Sequence, residues 1–143
     1  MKDEVTVAGW RVSLSSADKP ETIFGDAAGN ARLSNVELGS ALHLKPKDWV
    51  LFHAKCRTPA NIVEKGGSVH FAGMTGKAEI HLNGKLVMEK KASGTDDVVF
   101  PVEPGVTELE FNVLMQPDSK GRALLADAVY LSPVRLKAAG SKP

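Results

Sequence analysis

Short runs in which apolar and polar side chains alternate make up most of this chain. Each run is bounded by Gly, Pro, Asn or Asp, the residues that turns favour. Eight runs meet this description: VTVAGWRVSLS, WVLFHAKCR, SVHFAGM, AEIHLNG, KLVMEKK, DVVFPV, TELEFNVLM and AVYLSPVRL. Helical signals are weak, and short strands at such close spacing predict an all-β fold, a β-sandwich or jelly roll of about eight strands.

The alternation also assigns side chains to the two faces of each strand. In three of the runs the face predicted to be buried carries Val50, Phe52, Ala54 and Cys56; Val98, Phe100 and Val102; and Leu109, Phe111, Val113 and Met115. Apolar rows of this kind are what two facing sheets bury between them. Leu51 and Leu114 fall on the opposite face, which predicts that part of the outer surface is covered as well.

The dipeptide Asn83-Gly84 separates two of the runs and predicts a β-hairpin. Both residues accept the positive φ values of a type I′ turn, whose twist suits the flanking strands. A two-residue loop predicts these cross-strand pairs: Leu82 with Lys85, His81 with Leu86, and Ile80 with Val87. We interpret Asn83 as a turn residue and not as a ligand.

The 143 residues fit one domain with a substantial core. We expect a single domain over residues 1–136, with its core at about 9–134 and a tail or linker at 137–143. Residues 19–42 show little periodicity and are predicted to form a long ordered loop. The sequence contains no signal-peptide core and no membrane-spanning run, and it leaves the localisation open.

Charge and cysteine content narrow the range of partners. The formal net charge is +1, from 18 Lys and Arg against 17 Asp and Glu, which argues against a nucleic-acid partner or an anionic membrane surface. The single cysteine, Cys56, allows neither an internal disulfide nor a cysteine-based metal site. Within an apolar run, it is predicted to be a small buried side chain and not a catalytic thiol.

No motif of a hydrolase active site occurs in the sequence. A Gly-x-Ser-x-Gly elbow is missing, and no pair of carboxylates is framed as a glycosidase pair would be. The histidines lack local metal-ligand spacing. His53, His70 and His81 could form a cross-strand cluster, although solvated surface histidines are the simpler interpretation. We therefore predict no catalytic residue and no metal ligand, with a small hydrolase of unrecognised site as an alternative.

With no sign of catalysis in the sequence, ligand binding remains, and a sugar site is one candidate. A sugar site needs an aromatic face ringed by a few polar groups, and the aromatics that could be exposed are Trp10, Trp49 and Tyr130. The candidate sugar-binding residues are Trp10, Trp49, His53, Arg57 and Asn61. For both tryptophans the alternative is a place in the core or at the seam between the sheets.

Three segments carry a resemblance to a known family. They read LFHAKCRTPANIVEKGGSVHFAGMTGKAEIHLNGKLV, then FPVEPGVTELEFNVLM, then GRALLADAVYLSPV, with AGWRVS ahead of them. Their order resembles the galactose-binding-like jelly rolls of family-2 glycoside hydrolases, including β-galactosidases, over roughly residues 9–134. The usual aromatic and Arg of the first strand are Phe52 and His53 here, and the later Phe is Cys56.

The resemblance implies an accessory domain and not an enzyme. In such hydrolases the acid and the nucleophile reside on a separate (β/α)8 barrel of about 200 residues or more, which this sequence lacks. The implied role is to pack on the catalytic (β/α)8 domain of the same parent enzyme and to contribute to carbohydrate binding; an independent carbohydrate-binding module is the alternative. No cofactor is expected, although related jelly rolls often carry a structural calcium, for which Asp96, Asp97 and Asp127 are available.

Overall fold

The eight predicted runs correspond to the eight longer strands of the structure, and these lie in antiparallel sheets. The computed structural model describes residues 5–15, 34–134 and 136. The strands in those residues are β1 (Val5–Thr6), β2 (Arg11–Ser15), β3 (Ser34–Asn35), β4 (Leu42–His43), β5 (Trp49–Arg57), β6 (Gly67–Thr75), β7 (Lys77–Leu82), β8 (Lys85–Lys90), β9 (Thr95–Val102), β10 (Glu108–Gln116), β11 (Arg122–Ala123) and β12 (Ala128–Ser132). The fold is therefore an all-β sandwich, as the alternation predicted.

Two sheets make up the sandwich. The larger has the strand order β3-β2-β5-β10-β7-β8, and the smaller has the order β1-β12-β6-β9, while β4 and β11 form a short separate ladder. The long strands β5 and β10 pair over eight positions at the centre of the larger sheet. Since β10 also pairs with β7, and β5 with β2, both central strands are hydrogen-bonded along both edges.

The inward rows of both sheets meet in one hydrophobic core, with Phe71 at its centre. The Phe71 ring lies 5.9 Å from the ring of Trp10, 6.1 Å from that of Phe100 and 6.2 Å from that of Phe111, measured between centroids. Aromatic pairs at such separations contribute about 0.5–1.5 kcal/mol beyond the area they bury. All the residues predicted to face inward are buried except Cys56, which is half-buried.

The environment of Cys56 fits the predicted inert thiol. Burial, assisted by the nearby carboxylate of Glu108, raises the pKa of the Cys56 thiol. A raised pKa leaves less of the thiolate, which is the nucleophilic form.

The Asn83-Gly84 hairpin forms as predicted, with one difference in register. Both residues have positive φ, 52° and 83°, which a type I′ turn requires. The predicted pairs nearest the turn are present, but Ile80 pairs with Met88 and not with Val87. The reason is a bulge on β8, which adds one residue opposite the step from Ile80 to His81.

Two predictions for the rest of the chain fall partly outside the described residues. Residues 19–33 of the predicted long loop and the predicted tail at 137–143 both lie there. The described end of the loop contains β3, which pairs with β2, and the start of β4. Among the described residues, no helix has the length and apolar character needed to cross a membrane.

Candidate functional site

A cleft of about 220 Å³ opens on the outer face of the larger sheet. It is lined by Trp49, Lys77, Ala78, Glu79, Glu89, Lys90, Lys91, Leu114 and Gln116. The cleft lies where β5 and β7 begin and where β8 and β10 end, so four strand ends form it. We call it the Trp49 cleft, because Trp49, a predicted aromatic candidate, lines it and remains partly exposed.

Antiparallel register brings these side chains together. Gln116 pairs with Lys77 on β7, and the neighbouring pair of Met115 with Val50 places Trp49 beside Gln116. Trp49, Gln116 and Lys77 therefore form a row across three strands. Because side chains alternate along a strand, this row and the next outward row both face the same side of the sheet.

Like charges face each other across the β7–β8 hairpin in this cleft. Glu79 pairs directly with Glu89. The next pair along the hairpin is Ala78 with Lys90, so Lys77 and Lys91, one residue further on each strand, lie beside each other. A basic row thus lies beside an acidic row. Like charges directly opposite each other on paired strands are destabilising. The Glu79 carboxylate also has His81 Nε2 as a neighbour on its own strand, at 3.7 Å.

Lys90, at the end of β8 beside the cleft, is a buried cation that the sequence did not indicate. Its side chain is 1% exposed, and Nζ donates hydrogen bonds to the carbonyl oxygens of Gly76 (2.8 Å), Ala92 (2.5 Å) and Gly94. The Asp96 carboxylate is 3.7 Å from Nζ. Burial lowers the pKa of the Lys90 ammonium, and the Asp96 charge opposes that effect. Three carbonyl acceptors match the three donors of an ammonium, so Lys90 clamps the β8–β9 connection.

His53 lies at the middle of the same outer face but is only 2% exposed, which corrects the expectation of a solvated histidine. Its Nε2 is 3.0 Å from the Glu110 carboxylate, and its Nδ1 is 3.3 Å from Nη2 of Arg11. Because an Arg guanidinium only donates, Nδ1 accepts and Nε2 carries the proton that is donated to Glu110. These two hydrogen bonds account for the burial and leave His53 no open face toward a ligand.

The conceivable histidine cluster forms only in part. His53 and His81 lie on either side of Asn112, which pairs in register with both. Asn112 is fully buried, and neither of its side-chain polar atoms has a hydrogen-bond partner in the part of the chain that the structure describes. His70 lies on the other sheet, stacked on Tyr130 with 4.6 Å between ring centroids.

Trp10 occupies the core and not the rim. The side chain is 2% exposed, its ring packs on Phe71 and Phe111, and its indole N–H donates to the carbonyl oxygen of Val7 at 3.2 Å. This is the alternative that the sequence left open for Trp10. A ring buried to this extent has no surface to offer a sugar.

Arg57 and Asn61 lie at the opposite end of β5 from Trp49. Eight residue steps along a strand separate Trp49 from Arg57, a distance of about 26 Å. Arg57 lines a second, shallower depression of about 710 Å³ next to helix α1 (Ala60–Lys65), on which Asn61 is exposed. The structure therefore places Arg57 near the helix that carries Asn61 and separates both from the Trp49 cleft.

The three aspartates considered for calcium do not gather. Asp96 faces Lys90, while Asp97 accepts a hydrogen bond from the Gly73 amide at 2.9 Å. The Asp127 carboxylate also approaches Gly73, close to where a Cβ would stand. Within the described residues, no group of three or more His, Cys, Asp or Glu side chains is arranged to hold a metal ion.

Solved structures of bacterial glycosidases contain the same sandwich. The chain is similar to a β-glucuronidase 2 of Bacteroides uniformis (TM-score 0.63, 14% identity), a β-glycosidase of Bacteroides vulgatus (0.61, 15%) and a Bacteroides fragilis protein assigned as a β-galactosidase (0.61, 14%). In each comparison 90% of this chain is covered. The likeness shows the fold. No protein-family model matches the sequence, and no significant match was found among curated proteins.

This chain spans only a small part of those glycosidases. It covers 17%, 20% and 22% of the B. uniformis, B. vulgatus and B. fragilis chains respectively. The structural neighbours are thus glycoside hydrolases in which a sandwich of this kind is one part of a much longer chain. That relation supports the resemblance to glycoside hydrolases at the level of the fold.

The Trp49 cleft offers the groups that bind hydroxyl-rich ligands. A partly exposed indole provides an apolar face, the Gln116 amide both donates and accepts, and the carboxylates of Glu79 and Glu89 accept. The ammonium groups of Lys77 and Lys91 add donors. Sequence reasoning named Trp49 as a candidate but none of the other lining residues, because their grouping depends on strand register.

Proposed function

We propose that this chain is a non-catalytic accessory β-sandwich domain of a β-galactosidase-type glycoside hydrolase. In this role it packs on the catalytic (β/α)8 domain of the same parent enzyme and contributes to carbohydrate binding. The observation that carries the proposal is coverage: nine-tenths of this chain matches about a fifth of much longer glycosidase chains. A domain that makes up a fifth of an enzyme leaves ample length for a separate barrel.

The edge of the smaller sheet supports the packing role. The first and last strands, β1 and β12, pair there, so polypeptide on either side of the domain would join at one edge. Val5, Val134 and Leu136 are near the two ends of these strands and are 44%, 49% and 40% exposed. Exposed apolar side chains at this edge favour contact with a neighbouring domain.

The Trp49 cleft supports the carbohydrate role. It is concave, it combines an aromatic face with convergent polar groups, and it is separate from the β1–β12 edge, since it lies on the other sheet. A bound saccharide and a neighbouring domain would therefore not compete for the same surface.

A turnover assay tests the non-catalytic part of the proposal. The purified chain is incubated with nitrophenyl β-galactoside and nitrophenyl β-glucuronide, and we expect the release of nitrophenol to equal that in buffer. A rate above buffer that disappears when one carboxylate is replaced would contradict the proposal and favour the small-hydrolase alternative. Reading the gene on both sides of this segment tests the accessory role, which predicts a barrel of about 200 residues or more in the same frame.

The cleft also fits an independent carbohydrate-binding module, and the apolar edge distinguishes the two functions. Serine substitution at Val134 and Leu136 should weaken association with the barrel encoded in the same frame, supplied as a separate chain. Sugar binding should be unchanged in the same variant. If the two chains do not associate while sugar still binds, the independent module is the correct description.

A further inference from the structure

We infer that the Trp49 cleft binds a single neutral pyranose ring and selects it over the corresponding uronate. The inference rests on the proposed contribution to carbohydrate binding and names the ligand class. Three features support the inference: the volume of the cleft, its aromatic side chain and the order of its charged residues.

The size of the cleft limits the ligand to about one ring. Pockets for drug-sized ligands measure about 300–1,000 Å³, and this cleft measures about 220 Å³. The cleft lies where four strands end, so it does not continue as a groove along the sheet. A terminal sugar residue or a monosaccharide fits this shape better than an extended chain.

Trp49 provides the stacking surface. The C–H face of a pyranose is apolar and packs on an aromatic ring, while its hydroxyls point to the rim. The indole of Trp49 is partly exposed, and the buried side chain of Leu114 provides an aliphatic floor on the same face of the sheet. Gln116 lies in the same row as Trp49, where its amide can reach a hydroxyl of a ring stacked on the indole.

The charged wall favours hydroxyl groups over a carboxylate. Lys77 and Lys91 lie beside Glu79 and Glu89, so the four formal charges sum to zero. A sugar hydroxyl both donates and accepts, and it can bridge adjacent carboxylate and ammonium groups. A uronate would bring a third carboxylate toward the acidic row without a net positive field to offset its desolvation. Lys90 does not change this balance, because the Asp96 carboxylate, 3.7 Å from its Nζ, offsets its charge.

The facing carboxylates are a local conflict that binding would explain. Glu79 and Glu89 are directly opposed in register, an arrangement that costs hairpin stability even with His81 Nε2 lying 3.7 Å from the Glu79 carboxylate. Sequences are otherwise consistent with their folds, and such conflicts concentrate at functional sites. The acidic pair lies within the cleft, where its acceptors face the position of the proposed sugar.

Isothermal titration calorimetry of the whole chain tests the inference. The probes are methyl β-galactopyranoside, methyl β-glucopyranoside and methyl β-glucuronide, each titrated into the wild type and the variants. We expect at least one neutral glycoside to bind, and the uronate to bind at least about tenfold more weakly. Trp49→Ala should abolish binding and Trp49→Phe should retain part of it. Glu89→Gln should weaken the binding of neutral glycosides and reduce the affinity difference between them and the uronate.

Two control variants keep the test specific. Leu86→Ala alters an exposed apolar side chain on the same hairpin outside the cleft, and Glu64→Gln removes an exposed carboxylate from α1. Both should leave all affinities unchanged. If Trp49→Ala fails to fold, the affinity of Glu89→Gln for neutral glycosides tests the assignment of the cleft instead, because Glu89 is exposed.

The outcomes separate this inference from the proposed function. Equal or tighter binding of the uronate overturns the selectivity, while the carbohydrate role stands. Neutral binding that survives Trp49→Ala in a folded protein overturns the assignment of the cleft. If no glycoside binds, both the inference and the proposed carbohydrate role fail, and only the packing role is retained.

Discussion

Replacing Lys90 with methionine removes a buried ammonium whose three protons are all directed at carbonyl oxygens. Each hydrogen bond to a charged group contributes about 1.5–3 kcal/mol, but the desolvation of the ammonium offsets several kcal/mol of that sum. Breaking a buried charged arrangement by removing one partner costs about 3–5 kcal/mol. Asp96 is 35% exposed and can be hydrated when its partner is lost, so we expect the lower end, about 3 kcal/mol.

This loss is large for a domain of 143 residues. Total stabilities are about 5–15 kcal/mol, and a loss of about 3 kcal/mol lowers Tm by about 10 °C at this size. Urea unfolding followed by circular dichroism, with a thermal melt, measures the change. Lys85→Met is the matched control, since Lys85 is exposed on the same strand and its replacement should stay within about 0.5 kcal/mol. Equal stabilities of the two variants would refute the clamp.

Three further predictions concern pH and the hairpin. Burial lowers the pKa of Lys90, so just below pH 10.5 the unfolded chain binds more protons than the folded chain. The stability advantage of wild type over Lys90→Met, measured by urea unfolding, should therefore widen as pH rises through that window. A constant difference would contradict this prediction. Asn83→Ala removes a residue at positive φ together with its side-chain hydrogen bonds to Glu108 and Glu110, and should cost about 2 kcal/mol, against about 0.5 kcal/mol or less for Asn61→Ala. Glu89→Gln should raise stability by about 0.2–1 kcal/mol by relieving the cross-strand repulsion, and a loss of stability would show that the facing carboxylates are not in conflict.

The parts of the fold that the sequence predicted correctly are those set by local patterns. Period-two alternation assigned Phe52 and Phe111 to the core, since each side chain's face follows from its neighbours along the strand. The Asn83-Gly84 turn was equally local. Helix α1 was missed because six residues are too few for a helical period; it follows Pro59 and ends at Gly66, whose amide bonds back to Ile62.

The parts that escaped prediction depend on contacts between distant segments. Lys90 is buried because loops on both sides of β7 and β8 supply carbonyl acceptors, and nothing in the run EKK marks that. His53 is buried by partners on β2 and β10. Alternation likewise did not distinguish Trp10 from Trp49, since either an inward or a rim position suits an amphipathic aromatic. The cleft required the register of four strands, including a bulge that no turn rule predicts.

An NMR titration of the whole chain with methyl β-galactopyranoside tests the central claim most directly, because the protein and the sugar are observed in the same tube. The account predicts amide shifts confined to the Trp49 cleft, at Trp49, Lys77, Glu89, Lys91 and Gln116, with the anomeric signal of the glycoside unchanged over days. Shifts centred on Arg57 and α1, the absence of any shift with every neutral glycoside, or the appearance of free galactose would contradict it.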